Sequence, residues 1–282
     1  MKILEIGKVD LASLCYLNKE RYPFLLESVN HNDNNRYSIL FAFPSESIVL
    51  NSLSDFDFLN ELESQYKSSN LNSNLPFSGG WFVYLSYELI GQIEPILSRE
   101  LHTSELPIAY AVKIPSAIII DHQSDTTYLI DQDSDQSRID TILTDIELIK
   151  PIPEENILGE LSQENEDKFI SGVKACLDYI VAGDVFQVNL SRQWQYKLTK
   201  EIDSAVIYHA LKNANPAPFS ALVQYENFSI VSSSPERLLS VQDGVLQTRP
   251  IAGTHPRGEG SEDEAQKEDL INHPKEIAEH VM

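Results

Sequence analysis

Between Glu164 and Tyr196 the apolar residues change period, and that change restricts the fold more than any other stretch of the chain. In ENEDKFISGVKACLDYIVAGD, Phe169, Val173, Cys176, Leu177 and Ile180 recur at the spacing of one helix face. Glu164, Glu166 and Asp167 open the segment, where negative charge suits the helix dipole, and Gly183 can close it. VFQVNLSRQWQY follows at once and alternates: Phe186, Val188 and Leu190 fall on one side, Gln187, Asn189 and Ser191 on the other. The runs FSALVQY, FSIVSSS and RLLSVQDGVLQT come next, the last with a tight-hairpin signal at Asp243-Gly244. A helix feeding an alternating strand and then further strands predicts an α/β fold of the α+β type. Its sheet would be large and mostly antiparallel, with one polar face.

The first half reads as strands and loops. FLLESV and RYSILFAF are strand-length runs on either side of the loop signal NHNDNN. LSDFDFLNELESQYKS has helical spacing, with Phe56, Phe58, Leu59 and Leu62 on one side. SGGWFVYLSYEL reads as a buried strand entered through Gly79 and Gly80, and AVKIPSAIIIDHQSDTTYLID as two strands joined by a turn. The period is lost over IELIKPIPEENILGEL, which places a linker near 148–163 and divides a domain at 1–150 from one at 163–282. The last stretch, EDEAQKEDLINHPKEIAEHVM, is helical with a break at His273-Pro274. Ile277, Ala278 and Val281 are still building an apolar side at Met282, so the expectation is an N-terminal fragment of a longer domain.

Charge and cysteine content narrow the function classes. Against 21 basic residues stand 43 acidic ones, a net charge of −22, which repels phosphate backbones and argues against nucleic acid as a partner. Cys15 and Cys176 form no CxxC and no framework spacing, which suits a reducing compartment. The N-terminus lacks the apolar core of a signal peptide and no later run is long enough for a membrane span, so the expected location is cytoplasmic.

TRPIAGTHPRG, Thr248 to Gly258, packs two prolines, two glycines, a histidine and two arginines into eleven residues, dense chemistry for a connector. It lies in order with GDVFQVNLSRQW (183–194), SSSPERLL (232–239) and KEIAEHVM (275–282). PFLLESV (23–29), RYSI (36–39) and GGWFVYLSYEL (79–89) precede them. In content, order and spacing these segments resemble the chorismate-utilising enzymes, specifically component I of aminodeoxychorismate synthase and of anthranilate synthase. The resemblance implies the component I fold, large antiparallel sheets flanked by helices. It also implies that a C-terminal part is missing after AEHVM, a part carrying much of the substrate-carboxylate binding and a second metal-binding glutamate.

The resemblance further implies roles for single residues. Glu236, in SPER, corresponds to the acid that protonates the departing C4 hydroxyl of chorismate while ammonia attacks the ring; read locally, it is a glutamate after a proline at a strand end, commonly solvated. Gln187 stands where isochorismate and salicylate synthases carry a lysine that activates water. An amide cannot act as that base, which argues for an amine nucleophile. Gln187, Ser191 and the loop residues Ile251, Ala252, Gly253 and Thr254 would contact substrate. Gly253 would let backbone N–H groups approach closely and Thr254 would add a hydroxyl, although PIAGTHP alone also reads as a rigid turn. Glu279 corresponds to a ligand of Mg²⁺, the implied cofactor; locally it is also a helix partner for Lys275. Ser28, Arg36, Tyr37, Pro218, Phe219 and Ser220 match the family's tryptophan pocket.

Two signals within the family conflict. Many aminodeoxychorismate synthases have PIKGT, whose lysine adds to the ring, whereas Ala252 gives the PIAGT of anthranilate synthases. FQVNLSRQW and GGWFVYLSYELIGQIEP look more like the folate enzyme, a bacterial subgroup of which also carries PIAGT. The longer stretches favour aminodeoxychorismate synthase component I, which makes 4-amino-4-deoxychorismate for 4-aminobenzoate and folate synthesis with ammonia from a glutamine amidotransferase partner. Anthranilate synthase component I is the near alternative. A non-catalytic truncated homologue that binds tryptophan is the alternative of another class.

Overall fold

In the computed structural model, which describes residues 1–30, 35–66, 74–98, 106–242, 244–251 and 253–282, the chain builds mixed helix and antiparallel sheet. The first half runs β1 (Lys2–Ile6), α1 (Leu11–Leu17), β2 (Phe24–Glu27), β3 (Tyr37–Ala42), β4 (Ser47–Leu50) and α2 (Phe58–Gln65). It continues with β5 (Gly80–Leu85), α3 (Ile90–Ile93), β6 (Ala109–Ile114), β7 (Ser116–Asp121), β8 (Thr126–Asp131) and α4 (Gln136–Leu148). The second half runs β9 (Gly159–Gln163), α5 (Glu166–Ala182), β10 (Trp194–Leu198), α6 (Ser204–Ala214), β11 (Phe219–Tyr225) and β12 (Phe228–Ser234). Then follow β13 (Ser240–Gln242), β14 (Val245–Gln247), α7 (Ser261–Asn272) and α8 (Pro274–Val281).

A seven-stranded antiparallel sheet in the order β1-β8-β7-β3-β2-β11-β12 is the centre of the fold, and alternation decides what covers each face. Leu25, Leu40, Ile118, Leu129 and Leu222 point to one face, where they meet Leu11, Leu14, Ile139, Ile142 and Tyr208 of α1, α4 and α6. Phe24, Phe41 and Val223 point to the other face, against Phe82, Tyr110 and Val112 of a second sheet in the order β4-β6-β5. The helical face also holds buried polar ties: the Tyr22 hydroxyl donates to Asp145 at 2.6 Å and the Tyr208 hydroxyl to Glu27 at 2.7 Å. β11 pairs with β2, so this sheet takes strands from both sides of residues 148–163.

Four local expectations need correction. AVKIPSAIIIDHQSDTTYLID forms three strands, because Pro115 carries the chain from β6 in one sheet to β7 in the other. SGGWFVYLSYEL does form β5, but as an edge strand: Phe82 is buried while Val83 and Leu85 face out. The helix in LSDFDFLNELESQYKS starts only at Phe58, where the Asp57 side chain caps the Asn60 amide, and Phe56 lies before it.

The largest departure is VFQVNLSRQWQY, which is strand only from Trp194, where β10 pairs with β9. A strand exists where a neighbour takes its backbone hydrogen bonds, and residues 185–193 have no such neighbour among the described residues. Phe186 is 84% exposed, and α5, although capped by Asn165 and by Gly183 in the left-handed conformation, has no buried residue. The hairpin near Gly244 forms between β13 and β14; Asp243 lies outside the described residues.

Candidate functional site

Glu236 meets the glycine-rich loop directly. β12 ends at Ser234, whose hydroxyl donates to the Glu236 carbonyl at 3.1 Å and accepts from the Glu236 N–H at 3.3 Å, holding the Ser-Pro-Glu turn. The Glu236 side chain then accepts the Ile251 N–H at Oε1, 3.0 Å away. Three residues back, the Thr248 hydroxyl donates to the Leu238 carbonyl at 2.9 Å, continuing the approach of the two segments beyond the β13–β14 hairpin.

From Gly253 the loop turns to the C-terminal helices. The contact is close enough that a Cβ on Gly253 would lie 1.4 Å from Oε2 of Glu276, on α8. That oxygen is buried and has no hydrogen-bond partner among the described residues. His255 Nδ1 lies 3.0 Å from Gln266 Oε1, and the Arg257 guanidinium takes Asp263 in a bidentate pair at 2.6 and 2.7 Å. The Gly258 N–H adds a third bond to Asp263 at 3.1 Å. The Arg257 guanidinium, helped by that amide, holds the Asp263 carboxyl below the ordinary carboxylate value.

Of the residues expected to contact substrate, Glu236, Ile251, Gly253 and Thr254 therefore share one place in the fold. Ala252 lies outside the described residues. Gln187 and Ser191 are exposed in the segment that forms no strand, and no hydrogen bond ties either to Glu236 or to the loop among the described residues. Glu279 makes the helix pair with Lys275, at 3.6 Å.

Glu276 and Asp263 are the neighbours that sequence reading missed. The signal for Glu276 was its i, i+3 spacing to Glu279, which puts both carboxylates on one face of α8. Their fit to Mg²⁺ can be judged from the donors. No cluster of three or more His, Cys, Asp or Glu among the described residues could hold a metal. Mg²⁺ needs only one or two protein carboxylates and keeps its waters, however, and the unpartnered Glu276 Oε2 beside Glu279 has that chemistry.

The second residue set gathers at one end of β3, β2 and β11, which are neighbours in the seven-stranded sheet. The Ser28 hydroxyl donates to the Tyr37 carbonyl at 2.9 Å, and Val29 N–H donates to the Ala217 carbonyl at 3.1 Å, just before Pro218. Ser220 is buried and stands opposite Glu27 in the β11–β2 register, while Phe219 lies under the Arg237 guanidinium, 5.9 Å from ring centroid to Cζ. Arg36 is committed elsewhere: its Nε donates to buried Asp121 at 2.7 Å and its guanidinium lies over the Tyr37 ring. That ion pair holds the Asp121 carboxyl well below the ordinary range. Among the described residues, no helix is long and apolar enough to cross a membrane.

Residues 22–282 match the family of chorismate binding enzymes. The chain is 31% identical over 309 residues to anthranilate synthase component 1 of Lactococcus lactis, covering all of this chain and 67% of that protein. It is 34% identical over 242 residues to aminodeoxychorismate synthase component 1 of Bacillus subtilis, covering 80% of this chain and 51% of that one. The crystal structure of anthranilate synthase component I from Streptococcus pneumoniae superposes with a TM-score of 0.74 at 25% identity, covering 89% of this chain and 60% of that chain. The chain thus spans from about half to two thirds of the curated relatives it matches.

Proposed function

The chain belongs to the family of chorismate-binding enzymes, and from that premise we propose that it is component I of an aminodeoxychorismate synthase. In this reading chorismate is aminated at C4 to 4-amino-4-deoxychorismate, with ammonia supplied by a glutamine amidotransferase chain, for 4-aminobenzoate and folate synthesis. The observation that carries the reading is the hydrogen bond from the Ile251 N–H to Glu236 Oε1 at 3.0 Å, which sets a carboxyl group against a loop able to cradle a ring.

The chain's own residues would divide the work as follows. Glu236, in its protonated form, donates its proton to the departing C4 hydroxyl, which leaves as water while ammonia forms the C4–N bond and sheds its extra proton. The backbone around Gly253 and the Thr254 hydroxyl hold the ring in reach of that acid. Gln187 and Ser191 would line the substrate side, with an amide in place of a base, so that water is not activated. Glu279 with Glu276 would hold Mg²⁺, whose charge, when it is bound, neutralises a substrate carboxylate. Ser28, Tyr37 and Pro218–Ser220, with Arg36 tied back to Asp121, would form a tryptophan-binding pocket. The acidic composition, 43 acidic against 21 basic residues, argues against nucleic acid as a partner, and a cytoplasmic location is part of this reading.

Anthranilate synthase component I is the second reading, and Ala252 is what favours it. Relatives of both names match at similar identity, so the choice rests on residues: FQVNLSRQW and GGWFVYLSYELIGQIEP weigh toward the folate enzyme. The protein incubated with chorismate, Mg²⁺ and ammonium at mildly alkaline pH separates the two, read by fluorescence and mass spectrometry. A non-fluorescent amino-deoxychorismate, converted to 4-aminobenzoate only when a lyase is added, supports the first reading. Fluorescent anthranilate replaces it with the second. Tryptophan binding without turnover would point to a non-catalytic homologue.

A further inference from the structure

We propose that α7 and α8 act as a polar clamp on the loop, and that Asp263 is the positioning residue that keeps the Ile251 N–H on Glu236. The inference deepens the reading above and rests on it for the role of Glu236. α7, SEDEAQKEDLIN, has no buried residue and no apolar stripe. Its least exposed positions are Asp263, Gln266 and Leu270, which share one face at helical spacing, and two of the three are polar. A helix of this length is ordinarily held in place by an apolar face packed on a core. This one turns carboxylate and amide groups toward a loop instead.

Each of those groups has a partner there. Asp263 takes both Arg257 nitrogens at 2.6 and 2.7 Å and the Gly258 N–H at 3.1 Å; Gln266 takes His255 at 3.0 Å. Asp269 stands 3.6 Å from the same imidazole. The break at His273-Pro274 then redirects the chain so that α8 lays Glu276 across Gly253. The stretch 253–258 is thus held from the helix side, and 248–251 from the Glu236 side through Thr248 and Ile251. A bidentate guanidinium–carboxylate pair with a third backbone bond fixes geometry. The Arg257 side chain is 88% exposed, so the same pair contributes little to global stability. The position of the loop, rather than the stability of the fold, is what Asp263 controls.

The test uses D263A and D263N in the full chain, with amide hydrogen exchange across 248–258 as the first readout. D263A is expected to speed exchange of the Ile251 and Gly258 amides by about tenfold or more while melting stays close to the parent's. D263N keeps an acceptor for the Gly258 N–H and is expected to recover part of the protection. In the ammonia-dependent chorismate assay, kcat is expected to fall with KM changed less, in the same order of variants. Unchanged exchange at Ile251 in D263A overturns the clamp, whatever happens to turnover, and so does a global loss of protection with a lowered melting temperature. If exchange accelerates as expected but E236Q retains full turnover, the clamp stands and the reading of Glu236 as the acid fails.

Discussion

Gly253→Ala is the sharpest single perturbation of the candidate site, because its effect can be worked from one contact. The new Cβ would sit 1.4 Å from Oε2, 2.3 Å from Cδ and 2.9 Å from Cγ of Glu276. Van der Waals contact begins near ~3.5 Å, so the carboxylate must retreat by about 2 Å. Gly253 is not one of the glycines with φ in the left-handed region, so alanine adds no backbone strain. What moves is the far end of a flexible side chain on an exposed helix, and the expected stability change is below about 1 kcal/mol, within a few degrees of Tm. Catalysis is less tolerant, since a misplacement of ~1 Å can cost ~100-fold, and a loss of at least that size in kcat/KM is expected. The assay is a double-mutant cycle of G253A and E276A on chorismate turnover, with thermal melts alongside. If the collision carries the effect, G253A costs much less in the E276A background, with a coupling of about 1–3 kcal/mol. Strict additivity, or a large fall in Tm for G253A alone, would refute the steric argument.

Other expectations concern the fold that carries the site. Tyr208→Phe removes the 2.7 Å bond to Glu27 and leaves that carboxylate to Lys212, so urea denaturation should show a loss of about 1.5–3 kcal/mol. Leu222→Ala opens a cavity in the helical face of the central sheet and should cost roughly 2–5 kcal/mol by the same measurement. The Arg36–Asp121 pair predicts a pH dependence whose sign follows from the lowered folded pKa of Asp121. Its contribution is complete above the unfolded value of about 3.9 and is lost as pH falls below it. D121N should therefore be less stable than the parent at pH 6, with the gap narrowing below about pH 4; a gap independent of pH would contradict this account.

Much of the architecture was legible because alternation and capping are local. The runs FLLESV and RYSILFAF already mark β2 and β3 as strands, and Gly183 marks the end of α5 before any contact is known, whereas the polar face expected of the sheet is covered instead by Phe82, Tyr110 and Val112. The segment 185–193 alternates as cleanly as β3 does, yet forms no strand, since pairing needs a second backbone that no local pattern can supply. The site divides in the same way. Glu236 and the glycine loop stand out in the sequence by composition and resemblance, but that the Ile251 amide is what meets the carboxylate, fifteen positions further along, depends on the intervening chain turning through the β13–β14 hairpin. Glu276 and Asp263 look like ordinary acids on acidic helices, and only the fold sets one on Gly253 and the other on Arg257.

The layered core and the segments around the loop are held by different forces, and this decides how changes at the site will register. Leu25, Leu40, Ile118 and Leu129 are buried to within 1% of full, whereas α5, α7 and α8 have no buried residue. Burial of apolar area supplies cooperative, global stability, and in this chain it is concentrated in the central sheet and the layers on its two faces. The loop and its acid are held instead by discrete polar contacts: Thr248 to Leu238, Ile251 to Glu236, Arg257 to Asp263. Contacts of that kind are individually weak but directional, and each can open without unfolding the sheet beneath. Substitutions in the core will therefore be read in melting curves, and substitutions around Glu236 in local exchange and in turnover.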